Sequence, residues 1–258
     1  MTQLFLSDID GCIAMPYEPW DLPRMAELAA LLENARQGAA YHPAFGLCTG
    51  RSYSYAEAVA QALGVTGPVL FESGAGWFDL QTAQVRWHDA FTDDVARSLT
   101  EVRRFMEEEI IAQEGRISTD YGKRAQAGLV GPTEAIVAPF LPAVRSFVGD
   151  RFPDLHVFET HVSIDVVPKA LTKAEAMRWA ARQSGLDAGA LAFIGDTRGD
   201  VPAMEAVGLG FAPANAQDVA KAAADVVTSG AVLEGVIEAY RWCVARNAGD
   251  GADAPATG

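Results

Sequence analysis

The stretch Leu4-Phe5-Leu6-Ser7-Asp8-Ile9-Asp10-Gly11 decides how this chain is expected to fold. Its mostly apolar beginning, Leu4–Ser7, predicts a buried strand. Two carboxylates, Asp8 and Asp10, follow directly, at the kind of strand end where parallel sheets hold their ligands. Paired acids can bind a hard cation, and an ionised one can attack an electrophile while its neighbour transfers protons. An acidic turn closed by Gly11 explains the same residues equally well.

Outward from this stretch, short apolar runs alternate with amphipathic segments, which predicts parallel strands joined by crossover helices. Strands are expected at Phe45–Cys48 and Val69–Phe71, and again at Leu191–Ile194 after the alternation resumes near Lys169. Between these two regions, a helix-strand-strand order occurs twice and predicts a small antiparallel α+β unit. The predicted fold class is therefore α/β, with a Rossmann-like parallel sheet core and an inserted α+β domain.

The same change of pattern gives the domain limits. Residues 1–89 and 168–246 are predicted to form the core, and residues 90–167 the insertion. Residues 247–258 are rich in Gly, Ala, Asp and Pro, which predicts a disordered tail.

Composition excludes several classes of partner. The chain has 258 residues, with 20 Lys and Arg against 34 Asp and Glu, and its formal charge of −14 disfavours binding to nucleic acid or to anionic membranes. It lacks a secretory signal pattern and any run of roughly 18 apolar residues that could span a bilayer. Its three cysteines form no CxxC pair. We therefore expect a cytoplasmic monomer or homodimer whose partner is a small molecule.

A second polar feature follows the second predicted strand, at Cys48-Thr49-Gly50-Arg51-Ser52. A hydroxyl group and small-residue backbone at a strand end can donate hydrogen bonds to phosphate oxygens. The alternative is an ordinary helix N-cap provided by Thr49 or Ser52.

Two further features lie in the second half of the chain. Lys173 opens a predicted helix, where a cation opposes the helix dipole unless it serves a nearby anion; a solvated surface lysine is the alternative. Asp196 follows the strand Leu191–Ile194 directly. Asp200, four residues later, either forms a pair of acids with Asp196 or caps the helix that Pro202 helps to open. Together, the four features place acids, a hydroxyl group and a lysine at one sheet edge, as binding of a divalent ion and a phosphate requires.

The ordered set Asp8-Ile9-Asp10-Gly11, Thr49-Gly50-Arg51, Lys173 and Gly195-Asp196…Asp200 resembles the four motifs of the haloacid dehalogenase-like superfamily. The insertion between the second and third motifs resembles the Cof-type subfamily with a type IIB cap, which includes sucrose-phosphate, mannosyl-3-phosphoglycerate and phosphoglycolate phosphatases. The stretch Gly67–Ala75 is similar to the GPxIxENGA pattern of that family. The resemblance implies Mg²⁺-dependent hydrolysis of a small phosphorylated metabolite, either a sugar phosphate or a phosphorylated acid, through an aspartyl phosphate.

Roles carried over from the resemblance attach to individual residues. Asp8 becomes the nucleophile, Asp10 the general acid and base, and Lys173 the cation that offsets charge around the phosphoryl group. The implied phosphate and substrate contacts come from Thr49, Gly50 and Arg51. The implied Mg²⁺ ligands are Asp8, Asp196 and the main-chain carbonyl of Asp10, with Asp200 in or near that shell. Gly199, Cys12 and Ser73 replace the usual Asn, Thr and Asn, and none of these departures removes a catalytic carboxylate.

Substrate selection is expected to fall to the insertion, because a cap that closes over a site excludes water and contacts the leaving group. The candidates are Arg116, Lys123 and Arg124 for an anionic group, with Tyr121 and His161 as polar or stacking contacts. Each is equally consistent with a solvated residue.

Two other functions stay open from the sequence. A phosphomutase of the same superfamily would return the phosphoryl group to a sugar hydroxyl, and a non-catalytic module would bind phosphometabolites without turnover. Asp10 argues against the second, since a phosphoryl acceptor needs no acid for a leaving group.

Overall fold

The computed structural model describes residues 1–160 and 162–249. Strands and helices follow one another in the order that the alternating pattern predicts. The strands are β1 (Leu4–Ser7), β2 (Ala44–Cys48), β3 (Val69–Phe71), β4 (Gly76–Asp79), β5 (Gln84–Trp87), β6 (Ser118–Thr119), β7 (Ala127–Val130), β8 (Leu155–Glu159), β9 (Ser163–Pro168), β10 (Leu191–Ile194), β11 (Leu209–Ala212) and β12 (Val226–Val227). The helices are α1 (Leu22–Arg36), α2 (Tyr53–Leu63), α3 (Asp93–Met106), α4 (Glu134–Val137), α5 (Leu141–Val148), α6 (Lys173–Ser184), α7 (Val201–Met204), α8 (Asp218–Ala223) and α9 (Leu233–Ala248).

The larger sheet has the strand order β12-β11-β10-β1-β2-β3-β4-β5. Its strands are parallel from β12 to β3, and β4 and β5 extend the sheet as an antiparallel hairpin. Strand β1 lies at the centre, where Leu4 pairs with Leu191 of β10 on one side and with Ala44 of β2 on the other. The carboxyl ends of β1, β2 and β10 therefore meet at one edge, and the predicted α/β fold class is confirmed.

Helices cover both faces of this sheet because the side chains of a strand alternate between its two faces. Phe5 points to the face covered by α1, α2 and α9, where it stacks on Phe45 at 5.5 Å between ring centroids. Leu4 and Leu6 point to the opposite face and pack with α6 through Met177. The central strand is thus buried on both faces, which fixes the position of the loop that follows it.

Between Trp87 and Lys173 the chain builds a second, antiparallel sheet with the order β6-β7-β9-β8. One face packs on α3, α4 and α5 through residues such as Leu129, Ile164 and Val166. The opposite face carries Asp165, whose register partner is Gly128. The exact domain limits at residues 90 and 167 stay a prediction.

The predicted beginning of the tail at residue 247 is wrong. Helix α9 continues to Ala248, because the Asn247 side chain accepts a hydrogen bond from the Thr2 amide and donates to the carbonyl oxygens of Thr2 and Tyr41, each at 2.8–2.9 Å. Composition cannot reveal such a contact with the opposite end of the chain. Residues 250–258 of the predicted tail lie outside the described residues. Among the helices that are described, none is both long and apolar enough to cross a membrane.

Candidate active site

Asp8 lies directly after the central strand β1, and its amide donates to the carbonyl oxygen of Ile194 at 3.0 Å. Its carboxylate accepts a hydrogen bond from the Ile9 amide at 2.7 Å and one from the Lys173 ammonium at 2.5 Å. Burial raises the pKa of Asp8 to about 7, with Lys173 opposing the rise and Asp200 adding to it. The charged form of Asp8 is therefore held by a cation and a backbone dipole.

Lys173 begins α6, next to the N-cap Thr172, whose side chain accepts from the Glu175 amide. The ammonium group contacts both Asp8 and Asp200, and the side chain is only 12% exposed. Burial acts to lower the pKa of Lys173, but the two carboxylates outweigh it and raise the pKa well above its ordinary value. The lysine at the beginning of this helix is thus not a solvated surface residue.

Asp200 is fully buried, and its carboxylate turns back to the loop before it. It accepts hydrogen bonds from the amides of Asp196 and Thr197, at 3.2 and 2.9 Å, and from the Thr197 hydroxyl at 2.7 Å. It makes no side-chain cap for α7 itself, but it forms a capping box with Thr197 at the helical turn Arg198–Asp200 that leads into α7. The same bonds shape the loop that presents Asp196.

Asp196 has a buried oxygen, Oδ1, without a hydrogen-bond partner among the described residues. Burial raises the pKa of Asp196 to about 7, and the charge of Asp200 adds to the rise. Carboxylate oxygens of Asp8, Asp196 and Asp200 all lie within 4.8 Å of one another. An orphaned oxygen in a cluster of hard oxygen donors fits a small divalent cation such as Mg²⁺.

Gly11 permits this arrangement. Its φ is +72°, and a Cβ added there would lie 2.0 Å from Asp196 Oδ2. The Gly11 carbonyl accepts a hydrogen bond from the Asn215 side chain at 2.9 Å, and the Asn215 carbonyl oxygen accepts from the Val232 amide. Asn215 therefore ties the loop after β1 to the segment before α9.

Asp10 is directed to Arg51 rather than to the carboxylate cluster. The guanidinium group donates to both carboxylate oxygens, from Nε at 2.7 Å and from Nη2 at 2.6 Å, and lies over the rings of Tyr17 and Tyr55. The Asp10 side chain does not belong to the acidic cluster that the described residues form. Its contribution to a cation is thus limited to the main-chain carbonyl that the resemblance implies, and Arg51, predicted to bind substrate, is engaged by Asp10.

The loop after β2 is held in place by hydrogen bonds to the neighbouring strand and within the loop. Thr49 is fully buried, its amide donates to the Leu70 carbonyl at 2.9 Å, and its hydroxyl accepts from the Arg51 amide at 3.2 Å. Ser52 occupies the N-cap position of α2, but its hydroxyl makes no cap hydrogen bond. The phosphate contacts predicted for Thr49 and Gly50 stay predictions.

The residues predicted to select the substrate lie in different parts of the structure. Arg116 pairs with Glu114 on the surface, with 64% of its side chain exposed, and is not brought to the carboxylate cluster. Arg124 lies over the rings of Trp87 and Phe91, beside the larger sheet.

Lys123 is the most buried of the three cations. It is 13% exposed and contacts Asp165 at 3.3 Å, and the second oxygen of that carboxylate accepts from the Ser163 hydroxyl at 2.6 Å. Tyr121 is 76% exposed. His161 lies outside the described residues.

Three residues that shape the site had no role predicted from the sequence: Glu72, Asp165 and Asn215. Glu72 carried a signal, because an acid directly after a buried strand is the same feature that pointed to Asp8. Asp165 lies within an apolar strand and Asn215 within a loop, and both depend on contacts between distant parts of the chain.

Comparison with known proteins supports the resemblance that the motifs predict. A model of the haloacid dehalogenase-like hydrolases matches residues 144–239, which contain Lys173, Asp196 and Asp200. The solved structure of a haloacid dehalogenase-like hydrolase from Bacteroides thetaiotaomicron superposes with a TM-score of 0.72, at 21% identity, over 94% of this chain and 99% of that one. The predicted resemblance to the haloacid dehalogenase-like hydrolases is confirmed.

Two similar proteins agree on the class of enzyme. A phosphoglycolate phosphatase from Methanopyrus kandleri is 27% identical over 92% of this chain and 94% of its own length. The sucrose-phosphatase of Synechocystis, solved with sucrose and phosphate, shares the fold with a TM-score of 0.68, at 14% identity, over 94% of this chain and 98% of that one. The predicted class, a phosphatase, is confirmed.

Proposed function

We propose that this haloacid dehalogenase-like phosphatase is a Mg²⁺-dependent phosphomonoester hydrolase that acts through an aspartyl phosphate on Asp8. The observation that carries the proposal is the convergence of Asp8, Asp196 and Asp200 at the edge where β1, β2 and β10 end, with carboxylate oxygens within 4.8 Å of one another. The ammonium group of Lys173 contacts two of these acids, Asp8 and Asp200. A divalent cation bound by these acids would offset the repulsion between a carboxylate nucleophile and a phosphate dianion.

In the first step, a carboxylate oxygen of Asp8 forms a bond to phosphorus while the bond from phosphorus to the leaving alcohol breaks. The departing oxygen takes its proton from Asp10, which must first leave the guanidinium group of Arg51 and take up a proton from solvent. In the second step, water attacks the phosphorus and gives a proton to Asp10, and the bond to Asp8 breaks. Lys173 balances charge at Asp8 in both steps.

The substrate we propose is a small phosphorylated metabolite. The relatives' names point to phosphoglycolate and to a sugar phosphate, and Lys123 offers a cation for an acidic leaving group. A panel of phosphomonoesters should therefore contain phosphoglycolate, sucrose phosphate and simple sugar phosphates.

The test measures phosphate release from this panel with Mg²⁺ and with a chelator, for the unmodified protein, Asp8→Asn and the exposed control Asp89→Asn. We expect Mg²⁺-dependent release that Asp8→Asn abolishes and Asp89→Asn leaves intact. Full activity with the chelator or in Asp8→Asn would refute the mechanism. Accumulation of a sugar bisphosphate without net phosphate release would indicate a mutase, and no turnover of any substrate would indicate a binding module.

A further inference from the structure

Glu72 is a buried acid at the junction between the larger sheet and the insertion. It follows β3 directly and is 1% exposed. Its φ of +50° and the φ of +59° at Ser73 are uncommon for residues with a side chain. Such backbone persists where the surrounding contacts fix it.

The carboxylate of Glu72 reaches across to the inserted unit. The Arg124 amide donates to both of its oxygens, at 3.0 Å each, and the Ala125 amide donates to Oε2 at 2.6 Å. Hydrogen bonds to an ionised acceptor are among the strongest in proteins. One side chain of the core therefore holds two consecutive backbone amides of the insertion.

The backbone beside Glu72 holds the loop after β2. The Glu72 amide donates to the Arg51 carbonyl at 2.9 Å, and the Ser73 amide donates to the Thr49 carbonyl at 2.8 Å. Glu72 thus bonds to the predicted phosphate loop through its main chain and to the insertion through its side chain.

Residues 122–126, which we call the tie segment, make further contacts with the core. The Gln126 side chain donates to the Ser73 hydroxyl at 3.2 Å. Gly122 lies so close to Ser52 that an added Cβ would meet its hydroxyl oxygen at 2.9 Å. From the insertion side, Arg103 of α3 donates to the Gln126 carbonyl at 2.9 Å. The segment is therefore held between α3 and the loop after β2.

The tie segment also carries Lys123. Burial raises the pKa of Glu72, and the Arg124 and Ala125 amides and the charge of Lys123 oppose that rise. Asp165, on the face of the smaller sheet away from its helices, orients the ammonium group. Where the backbone of residues 123–125 is placed decides where this cation stands relative to the loop after β2.

We propose that Glu72 is a positioning residue that fixes the tie segment, and with it Lys123, against the Thr49–Arg51 loop, and so sets how the leaving group of the substrate is bound. The inference rests on the proposed phosphatase function. Substrates should differ in their need for Glu72 according to their leaving groups. Binding of a metabolite whose leaving group reaches the insertion depends on Glu72, whereas acetyl phosphate, whose leaving group is small, needs only the core site.

The first test measures amide hydrogen exchange in the unmodified protein, Glu72→Gln and Glu108→Gln. The last is the same change at an exposed position of the insertion. We expect exchange in the tie segment to be about tenfold faster in Glu72→Gln alone, since loss of a charge-assisted acceptor frees two amides. Unchanged exchange there would overturn the inference, whatever the activity.

The second test compares the best substrate of the phosphomonoester panel with acetyl phosphate. Glu72→Gln is expected to raise KM for the panel substrate by about tenfold, while turnover of acetyl phosphate stays close to that of the unmodified protein. Equal losses on both substrates would show a merely structural role, and no loss on either would show no role; each overturns the inference. Inactivity of the unmodified protein on both substrates would instead refute the proposed function.

Discussion

Lys173 is the first residue of α6, where its charge opposes the helix dipole, and two carboxylates compensate it. The side chains of Lys173, Asp8 and Asp200 are largely buried. Water therefore screens the interactions among their charges only weakly. Among the described residues, Asp196 has a buried oxygen without a hydrogen-bond partner and forms no ion pair. The three carboxylates therefore carry more negative charge than the Lys173 ammonium group balances, and the site is short of positive charge unless it binds a cation.

Because of this shortage, we predict that the ionisation of Asp196 lowers the free energy of unfolding as pH rises. Its pKa in the folded protein is raised from 3.8 to about 7, so the folded state binds more protons than the unfolded state between these values. The free energy of unfolding of metal-free protein consequently falls as pH rises from about 4 to about 7. Asp196→Asn lacks the contribution of Asp196 and keeps that of Asp8, whose pKa is also raised to about 7. We expect the variant to be more stable than the unmodified protein at pH 8 without metal.

Thermal unfolding with a chelator checks the prediction. The variant's advantage should grow from pH 4 to pH 8, with Tm rising by about 3 °C for each kcal/mol gained. Saturating Mg²⁺ should stabilise the unmodified protein more than the variant at pH 8. An advantage that is the same at every pH would contradict the prediction.

At the scale of elements, the site depends on which strands are neighbours. That β1, β2 and β10 end at the same edge was predictable, because alternating strands and helices imply a parallel sheet whose carboxyl ends share an edge. The partner of Arg51 was not, since sequence cannot tell whether a guanidinium group meets Asp10 or a phosphate. The role of Glu72 was also beyond prediction, because it depends on how the insertion packs on the core.

The loop after β1 offers a prediction with a matched control. Gly11 and Gly38 have φ of +72° and +69°, but an added Cβ has nothing within 4 Å at Gly38 and meets Asp196 at Gly11. Gly38→Ala should cost about 1 kcal/mol of stability and keep the activity. Gly11→Ala should also displace Asp196 and weaken Mg²⁺ activation by about 10–100-fold.

Mg²⁺ titrations of phosphate release measure this difference. Equal activation constants for the two variants would show that the close approach of Gly11 to Asp196 has no functional consequence.

At the scale of the whole molecule, the formal charge of −14 contrasts with the recognition of an anionic group. The acids of the site come from parts of the chain as far apart as Asp8 and Asp200, and the fold gathers them around Lys173. A cation bound there would make the local charge favourable to phosphate although the net charge of the molecule is negative. The insertion lies between the second and third motifs, so the chain completes the site only after returning to the larger sheet.

The most direct test of the account is to locate the phosphoryl group during turnover. The enzyme is mixed with substrate and Mg²⁺, quenched in acid and digested, and its peptides are analysed by mass spectrometry. We predict one phosphoryl group on the peptide that contains Asp8, absent from Asp8→Asn and from samples with a chelator. Phosphate release without any phosphorylated peptide, or a phosphoryl group mapped to another residue, would contradict the account.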